Sequence, residues 1–186
     1  MEKNRMVRMK SLAAVCAVAL WAVAAGHAQN AKQVVDAKTV LAAEGAAPDS
    51  TLEAAAVVHI APGYHINDHK PTLDYLIPTA WTLEGTKQID VEKITYPRGQ
   101  LRKFAFSDNQ LSVYEGTLTV GARLKVARRT SHGTYTLKGE FKYQACNDHA
   151  CLPPTSVPVN LTLQVVRRRV ALKRVHADVF DQIQFE

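Results

Sequence analysis

The sequence predicts an all-β chain folded as a two-sheet antiparallel sandwich. Three observations point there: apolar and polar residues alternate with period two over several short stretches, Pro or Gly separates those stretches at sandwich-like spacing, and few segments carry helical periodicity. In chain order, Val57-Val58-His59-Ile60, Leu73 to Leu83, Ile89 to Tyr96, Leu111 to Tyr114 and Thr117 to Val126 favour strands. Pro62-Gly63, Pro97-Arg98-Gly99 and Gly116 supply the punctuation. Gln33 to Ala43 reads as either a first strand or a short helix. Trp81 and Tyr75 read as core.

Two later stretches alternate most cleanly. From Thr134 to Cys146, Tyr135, Leu137, Phe141, Tyr143 and Ala145 share one face, and Thr136, Lys138, Glu140, Lys142 and Gln144 share the other. On that pattern Cys146 points away from the apolar face. Val157, Val159, Leu161, Leu163 and Val165 alternate in the same way. If these strands pair antiparallel, their connection brings Cys146 and Cys151 within bridging distance near the turn. Beyond them, Leu172, Val175, Val179 and Ile183 fall at helical spacing, so the tail is expected to carry a short amphipathic helix packed on the sandwich.

The beginning of the chain sets the compartment. Lys3, Arg5, Arg8 and Lys10 precede an apolar run from Leu12 to Ala25, and Gly26-His27-Ala28 places small residues where a signal peptidase reads. Residues 1–28 are expected to be a cleaved signal peptide, since the run falls short of the roughly 20 residues a permanent span needs. Cys16 leaves with the leader; Val15 before it is not small, which argues against a lipidated start there. Residues 29–166 then form one domain, and 167–186 a basic C-terminal tail. The leader's four basic residues and Glu2 account for half of the formal charge of +6, so the balance does not suggest a nucleic-acid binder. Arg167-Arg168-Arg169 and Lys173-Arg174 hold most of the remaining excess, either as a solvated tail or edge or as a contact for an anionic membrane surface or acidic partner.

The most informative segment is Tyr143-Gln144-Ala145-Cys146-Asn147-Asp148-His149-Ala150-Cys151-Leu152-Pro153-Pro154. A bridge closing a ring of about six residues removes little denatured-state entropy, roughly 2 kcal/mol on the chain-entropy model. As a staple this is a weak use of the pair, and a disulfide that is made and broken is the stronger reading. Exchange then needs one accessible sulfur. Neither cysteine sits in a Cys-x-x-Cys motif at a helix start, so the partner is expected to bring the activated thiolate when this pair is oxidised. His149 is a candidate for perturbing a thiol or accepting its proton, against the plainer reading of a solvated turn residue. Asp148 reads as a turn residue, and Pro153-Pro154 as stiffening of the exit.

Together with Pro62-Gly63-Tyr64-His65-Ile66-Asn67, the Tyr143-Gln144-Ala145-Cys146 and Cys151-Leu152-Pro153-Pro154 segments resemble the N-terminal periplasmic domain of the DsbD family of thiol:disulfide interchange proteins. The likeness runs from about Val34 to Val166. It implies an immunoglobulin-like sandwich, located in the periplasm, whose Cys146 and Cys151 accept electrons from a membrane-embedded or thioredoxin-like donor and pass them to periplasmic disulfide oxidoreductases. It implies further that Cys151 forms the mixed disulfide with the downstream partner. An aromatic cap over the pair is expected within Lys103-Phe104-Ala105-Phe106-Ser107-Asp108, with Phe106 the first choice and Phe104 the second. Tyr64, His65 and Asn67 are expected to line the cysteine pocket, and Asp108 and Glu115 to act electrostatically on the thiols. The cysteine spacing is one residue shorter than in the best-known member. No membrane-spanning or thioredoxin-like segment follows in this sequence, so the expectation is a free-standing relay served by a separate donor.

Two readings from other classes stand beside this one. In the first, Cys146, His149 and Cys151, with His65 or His69, supply soft ligands to copper or zinc. In the second, the sandwich is a protein-binding module and the bridge a structural staple. No organic cofactor is implied, and no Ser-His-Asp set or phosphate-cradling glycine loop stands out.

Overall fold

A computed structural model describes residues 34–167 and 170–185. The expected signal peptide, and Arg168 and Arg169 of the basic tail, lie outside the described residues. In chain order the strands are β1 (Val35–Leu41), β2 (Thr51–Ile60), β3 (His65–Asn67), β4 (Ala80–Leu83), β5 (Ile89–Thr95), β6 (Gln100–Lys103), β7 (Gln110–Tyr114), β8 (Thr117–Val126), β9 (Gly133–Leu137), β10 (Gly139–Tyr143), β11 (Ala145–Cys146), β12 (Thr155–Pro158) and β13 (Leu161–Val165), and one short helix, α1 (Ala177–Phe180), follows.

One layer is a four-stranded antiparallel sheet in the order β1-β2-β8-β5. The other is built by β9 with β13 and by β12-β10-β4, again antiparallel. Period-two alternation turns Leu52, Ala54, Ala56, Val58 and Ile60 of β2, and Leu118, Val120, Ala122, Leu124 and Val126 of β8, into the space between the layers. Trp81, Leu137, Phe141, Tyr143, Leu161, Leu163 and Val165 meet them from the opposite side. Trp81 places its indole N–H on the Val159 carbonyl at 3.3 Å, so the buried ring keeps a partner. The result is the expected antiparallel, immunoglobulin-like sandwich. Burying one such apolar side chain is worth roughly 1.5–3 kcal/mol. The interlayer core therefore outweighs the small cysteine ring as the source of stability.

Several expectations need correction. Of the Gln33 to Ala43 stretch, Val35–Leu41 form strand β1, the first of the two alternatives, and Gln33 lies outside the described residues. Leu73 to Leu83 is not one strand: only Ala80–Leu83 is extended, and Pro71 and Pro78 flank turns before it. Tyr75 lies in those turns and is 77% exposed, whereas Trp81 is core as expected. The long run from Thr134 to Cys146 divides into β9, β10 and β11, with Lys138 and Gln144 outside the ladders. At Gln144 the chain leaves its layer for a second small sheet in the order β11-β3-β7-β6. That change of partner overrides the alternation, and Cys146 is buried rather than on the polar face.

The tail packs against the outer face of the first layer. Phe180 is buried with Ala42 and Ala55, and Val179, Ile183 and Phe185 pack around them. Small residues make the seat: a Cβ on Gly121 would lie 2.7 Å from the Phe185 ring and 2.8 Å from Ile183. Arg123 donates to the Phe185 carbonyl at 2.7 Å and lies over its ring at 5.5 Å. Arg174 is held by Asp181 at 2.7 Å. The helix begins later than the spacing suggests, because His176 turns the chain with φ 53° and its Nδ1 meets the Leu41 carbonyl at 3.0 Å. Phe180→Ala is expected to destabilise the domain by about 3 kcal/mol, measured by urea unfolding, and to raise proteolytic cleavage within residues 170–185.

Candidate functional site

The cysteine ring hangs from the sheet that β11 joins. Its register pairs Ala145 with Ile66 and Cys146 with His65, while Ile66 and Asn67 pair on β3's other side with Tyr114 and Val113. Asn147 shapes the turn: its Oδ1 accepts from the His149 and Ala150 backbone N–H groups, each at 2.9 Å. The Asn147 N–H donates to Ala150 at 3.0 Å and the Leu152 N–H to Ala145 at 2.8 Å. The ring so closed brings the Cα atoms of Cys146 and Cys151 to 3.9 Å, joined by a disulfide. The two residues are unequal, since Cys146 is 2% exposed and Cys151 is open to solvent.

An aromatic stack is built on the ladder partner of Cys146. Paired residues on antiparallel strands project to the same face, so the His65 ring shares a face with Cys146. Phe104 stacks on His65 with centroids 4.1 Å apart, and Phe106 stacks on Phe104 at 5.2 Å. Phe104 is buried among Leu111, Val113, Leu73 and Leu76, whereas Phe106 is 47% exposed. Both belong to the tip of the β6–β7 hairpin. That tip is closed by Lys103 Nζ donating to the Asp108 carbonyl at 2.6 Å and Ser107 Oγ donating to the Asn109 carbonyl at 2.9 Å. Burial holds His65 below the usual imidazole value, against the opposing fields of Glu115 and Asp148, so the ring is neutral near neutral pH. Glu115 is itself paired with Arg102 of β6 at 3.0 Å.

The hairpin's stem is fixed by a residue the sequence reading did not single out. Asp68, 7% exposed, accepts from Tyr114 OH at 2.6 Å and Ser112 Oγ at 2.6 Å, and from the Gly99 N–H at 3.2 Å and the Lys70 N–H at 3.3 Å. His69 Nδ1 lies 2.7 Å from its Oδ1, and the His69 ring stacks on Tyr96 at 4.4 Å. Residue 99 must be glycine for this approach, because a Cβ there would collide with the Asp68 carboxylate and Ser112 Oγ. Burial works to raise the Asp68 carboxyl, but the bonds from Ser112, Tyr114, His69 and Lys70 outweigh it and hold it below the ordinary carboxylate value. Burial and the neighbouring carboxylate push the Tyr114 phenol up, so it remains a donor.

The structure joins Cys146 to Cys151, pairs Cys146 with His65, and stacks Phe104 on His65 and Phe106 on Phe104. Phe104, the second choice for the cap, makes the contact with His65; Phe106 stacks outside it. Asn67 is buried, but its Nδ2 donates to the Ile77 carbonyl at 2.9 Å and its carbonyl accepts from Thr79, which ties down the 68–79 loop. Tyr64 is half-buried against the interlayer core. Asp108 and His149 are exposed, and Asp148 rather than Asp108 is the loop carboxylate that acts on His65. Among the described residues no cluster of three or more His, Cys, Asp or Glu is arranged to hold a metal ion.

Asp68 carries a consequence for acid stability. Its folded pKa is depressed, so its contribution is fully present above the unfolded value, about 3.9, and is lost as pH falls toward the folded value. Asp68→Asn is expected to lower stability at neutral pH by about 1–3 kcal/mol. Below about pH 4 the difference from the parent should narrow, as read from urea midpoints across a pH series.

A family model described as "Thiol:disulfide interchange protein DsbD, N-terminal" matches residues 32–163. No curated protein matches the sequence. Among solved structures, the DsbD N-terminal domain of Neisseria meningitidis in the reduced form is similar at 17% identity and a TM-score of 0.39, covering 68% of this chain and 90% of that one. The N-terminal periplasmic domain of ScsB from Proteus mirabilis is similar at 15% identity and a TM-score of 0.44, covering 68% of this chain and 44% of that one. The complex between the DsbD and PilB N-terminal domains from Neisseria meningitidis matches at 16% identity and a TM-score of 0.39, covering 64% and 80%. A family match that takes in both layers of the sandwich and the whole Cys146–Cys151 ring identifies the chain as a member of the DsbD N-terminal domain family of thiol:disulfide interchange proteins.

Proposed function

We propose that this chain is an exported, periplasmic thiol–disulfide relay. It receives electrons from a thioredoxin-like or membrane-embedded donor and passes them to periplasmic disulfide oxidoreductases through Cys146 and Cys151. The observation that carries the reading is the unequal setting of the pair, with one residue open to solvent and the other buried beside an aromatic stack. Thiol–disulfide exchange is the chemistry of the family to which the chain belongs; the leader read from the sequence supports export.

The chemistry follows from access. A donor thiolate attacks Cys151 Sγ, the Cys146–Cys151 bond breaks, and Cys146 leaves with the electron pair. The donor's second thiolate then attacks the donor's first sulfur in the mixed disulfide, the donor's own disulfide forms, and Cys151 leaves as a thiolate, so the domain is reduced by two electrons. In delivery, Cys151 attacks the acceptor's disulfide and Cys146 resolves the intermediate. Phe104 and Phe106 are the cap in this scheme, limiting approach until a partner displaces the hairpin tip.

The equilibrium reduction potential of the pair, read by alkylation against glutathione and dithiothreitol series, tests the relay. A value above about −300 mV, the upper edge for structural bridges, together with rapid reduction by a thioredoxin-like donor, is expected. A lower value without exchange favours the staple in a binding module. Cys146→Ser should accumulate a mixed disulfide through Cys151, and Cys151→Ser should not, as judged on non-reducing gels. Phe104→Ala should speed reduction by dithiothreitol severalfold while leaving the potential nearly unchanged.

A further inference from the structure

We propose that His65 is the proton acceptor and donor for Cys146, a role that deepens the relay reading and rests on it. The inference starts from place. Cys146 is 2% exposed, so bulk water has little access to the group that must gain or lose a proton each time the bridge opens or closes. A thiolate in such a setting is disfavoured unless a nearby group takes the proton. His65 is the residue directly opposite Cys146 in the β11–β3 ladder, on the same face, and it is itself 4% exposed. His149, the histidine that spacing along the chain suggests, is exposed in the turn and spends its backbone N–H on Asn147.

The surroundings suit a neutral acceptor. The ring is stacked on Phe104 at 4.1 Å, an arrangement that fixes its plane. The charged groups on the elements around it are Asp148 in the cysteine ring, Glu115 after β7, and Arg102, Lys103 and Asp108 in the β6–β7 hairpin. Arg102 is engaged by Glu115 and Lys103 by the Asp108 carbonyl. Burial keeps the imidazole neutral, while the fields of Glu115 and Asp148 favour the cation once it forms.

In delivery, the Cys146 thiol gives its proton to a ring nitrogen of His65. The resulting thiolate attacks Cys151 Sγ, the Cys146–Cys151 bond forms, and the acceptor's sulfur leaves Cys151 with the electron pair as a thiolate. The pair is oxidised by two electrons and the acceptor's disulfide is reduced. The imidazolium then releases its proton to solvent. In charging, the direction reverses: a donor thiolate attacks Cys151, Cys146 leaves as a thiolate, and His65 passes it a proton taken up from solvent.

The test uses the reduced domain and dithiobis(nitrobenzoate), whose coloured thiolate is released once when Cys151 is captured and again when Cys146 resolves the mixed disulfide. Only the second, unimolecular phase reports on Cys146. His65→Phe keeps a ring against Phe104 while removing both nitrogens, and His65→Gln keeps polarity without basicity and serves if the first variant folds poorly. Both are expected to slow the second phase at neutral pH by about tenfold or more. The rates should converge with the parent near pH 10, above the ordinary thiol value of about 8.5, where no acceptor is needed. Rates that match the parent at every pH, or a slowing of equal size at every pH, overturn the assignment. If the parent itself shows no second phase, the relay reading falls and this inference with it.

Discussion

A carboxylate that has given up water must find every one of its hydrogen bonds inside the protein, and Asp68 does so by drawing three separate segments onto itself. Tyr114 and Ser112 come from β7, Gly99 from the entrance to β6, and His69 and Lys70 from the loop that follows β3. The small sheet β11-β3-β7-β6 has few strands and little apolar mass of its own beyond Phe104, Leu111 and Val113. Its stem is held by this polar knot, and with it the hairpin whose tip covers His65. Remove the carboxylate and several buried donors are left without an acceptor, which is why such networks are costly to break and seldom tolerate partial repair.

The division of labour is then physical. The interlayer core supplies the free energy that keeps the sandwich folded, through many side chains each worth a kilocalorie or more. The polar knot supplies position. The cysteine ring supplies little stability, because it constrains only a handful of residues. A bond that contributes little to the fold can be opened and closed without unfolding its carrier, which is what a relay requires.

Much of this was legible in the sequence, and the failures have definite causes. Val57 to Ile60, Ile89 to Tyr96, Leu111 to Tyr114 and Thr117 to Val126 each contain or overlap a strand, as their apolar residues and the turn residues beside them predict. The run to Cys146 was misread at its end, since alternation assumes one partner layer and the chain changes layers at Gln144. Leu73, Tyr75 and Ile77 imitate a strand, but the prolines on either side hold that stretch in turns and leave Tyr75 in water. The cysteine pair announced itself by local spacing, and the aromatic segment was reached through the family resemblance. Asp68 could not: its partners Gly99 and Tyr114 lie 31 and 46 residues away, and nothing in Asn67-Asp68-His69-Lys70 distinguishes it from a solvated turn.

The seat of the tail couples two distant positions by shape alone. Phe185 and Ile183 occupy the space that a side chain at residue 121 would fill, and Arg123 closes over the Phe185 ring. Volume at one position is thus borrowed from the other. Across evolution such a pair drifts as a unit: a lineage that acquires alanine at 121 must trim residue 185 or let the strap lift, and with it expose Ala55 and Ala42. Covariation between positions 121 and 185 among related chains would be the genetic imprint of that shared volume.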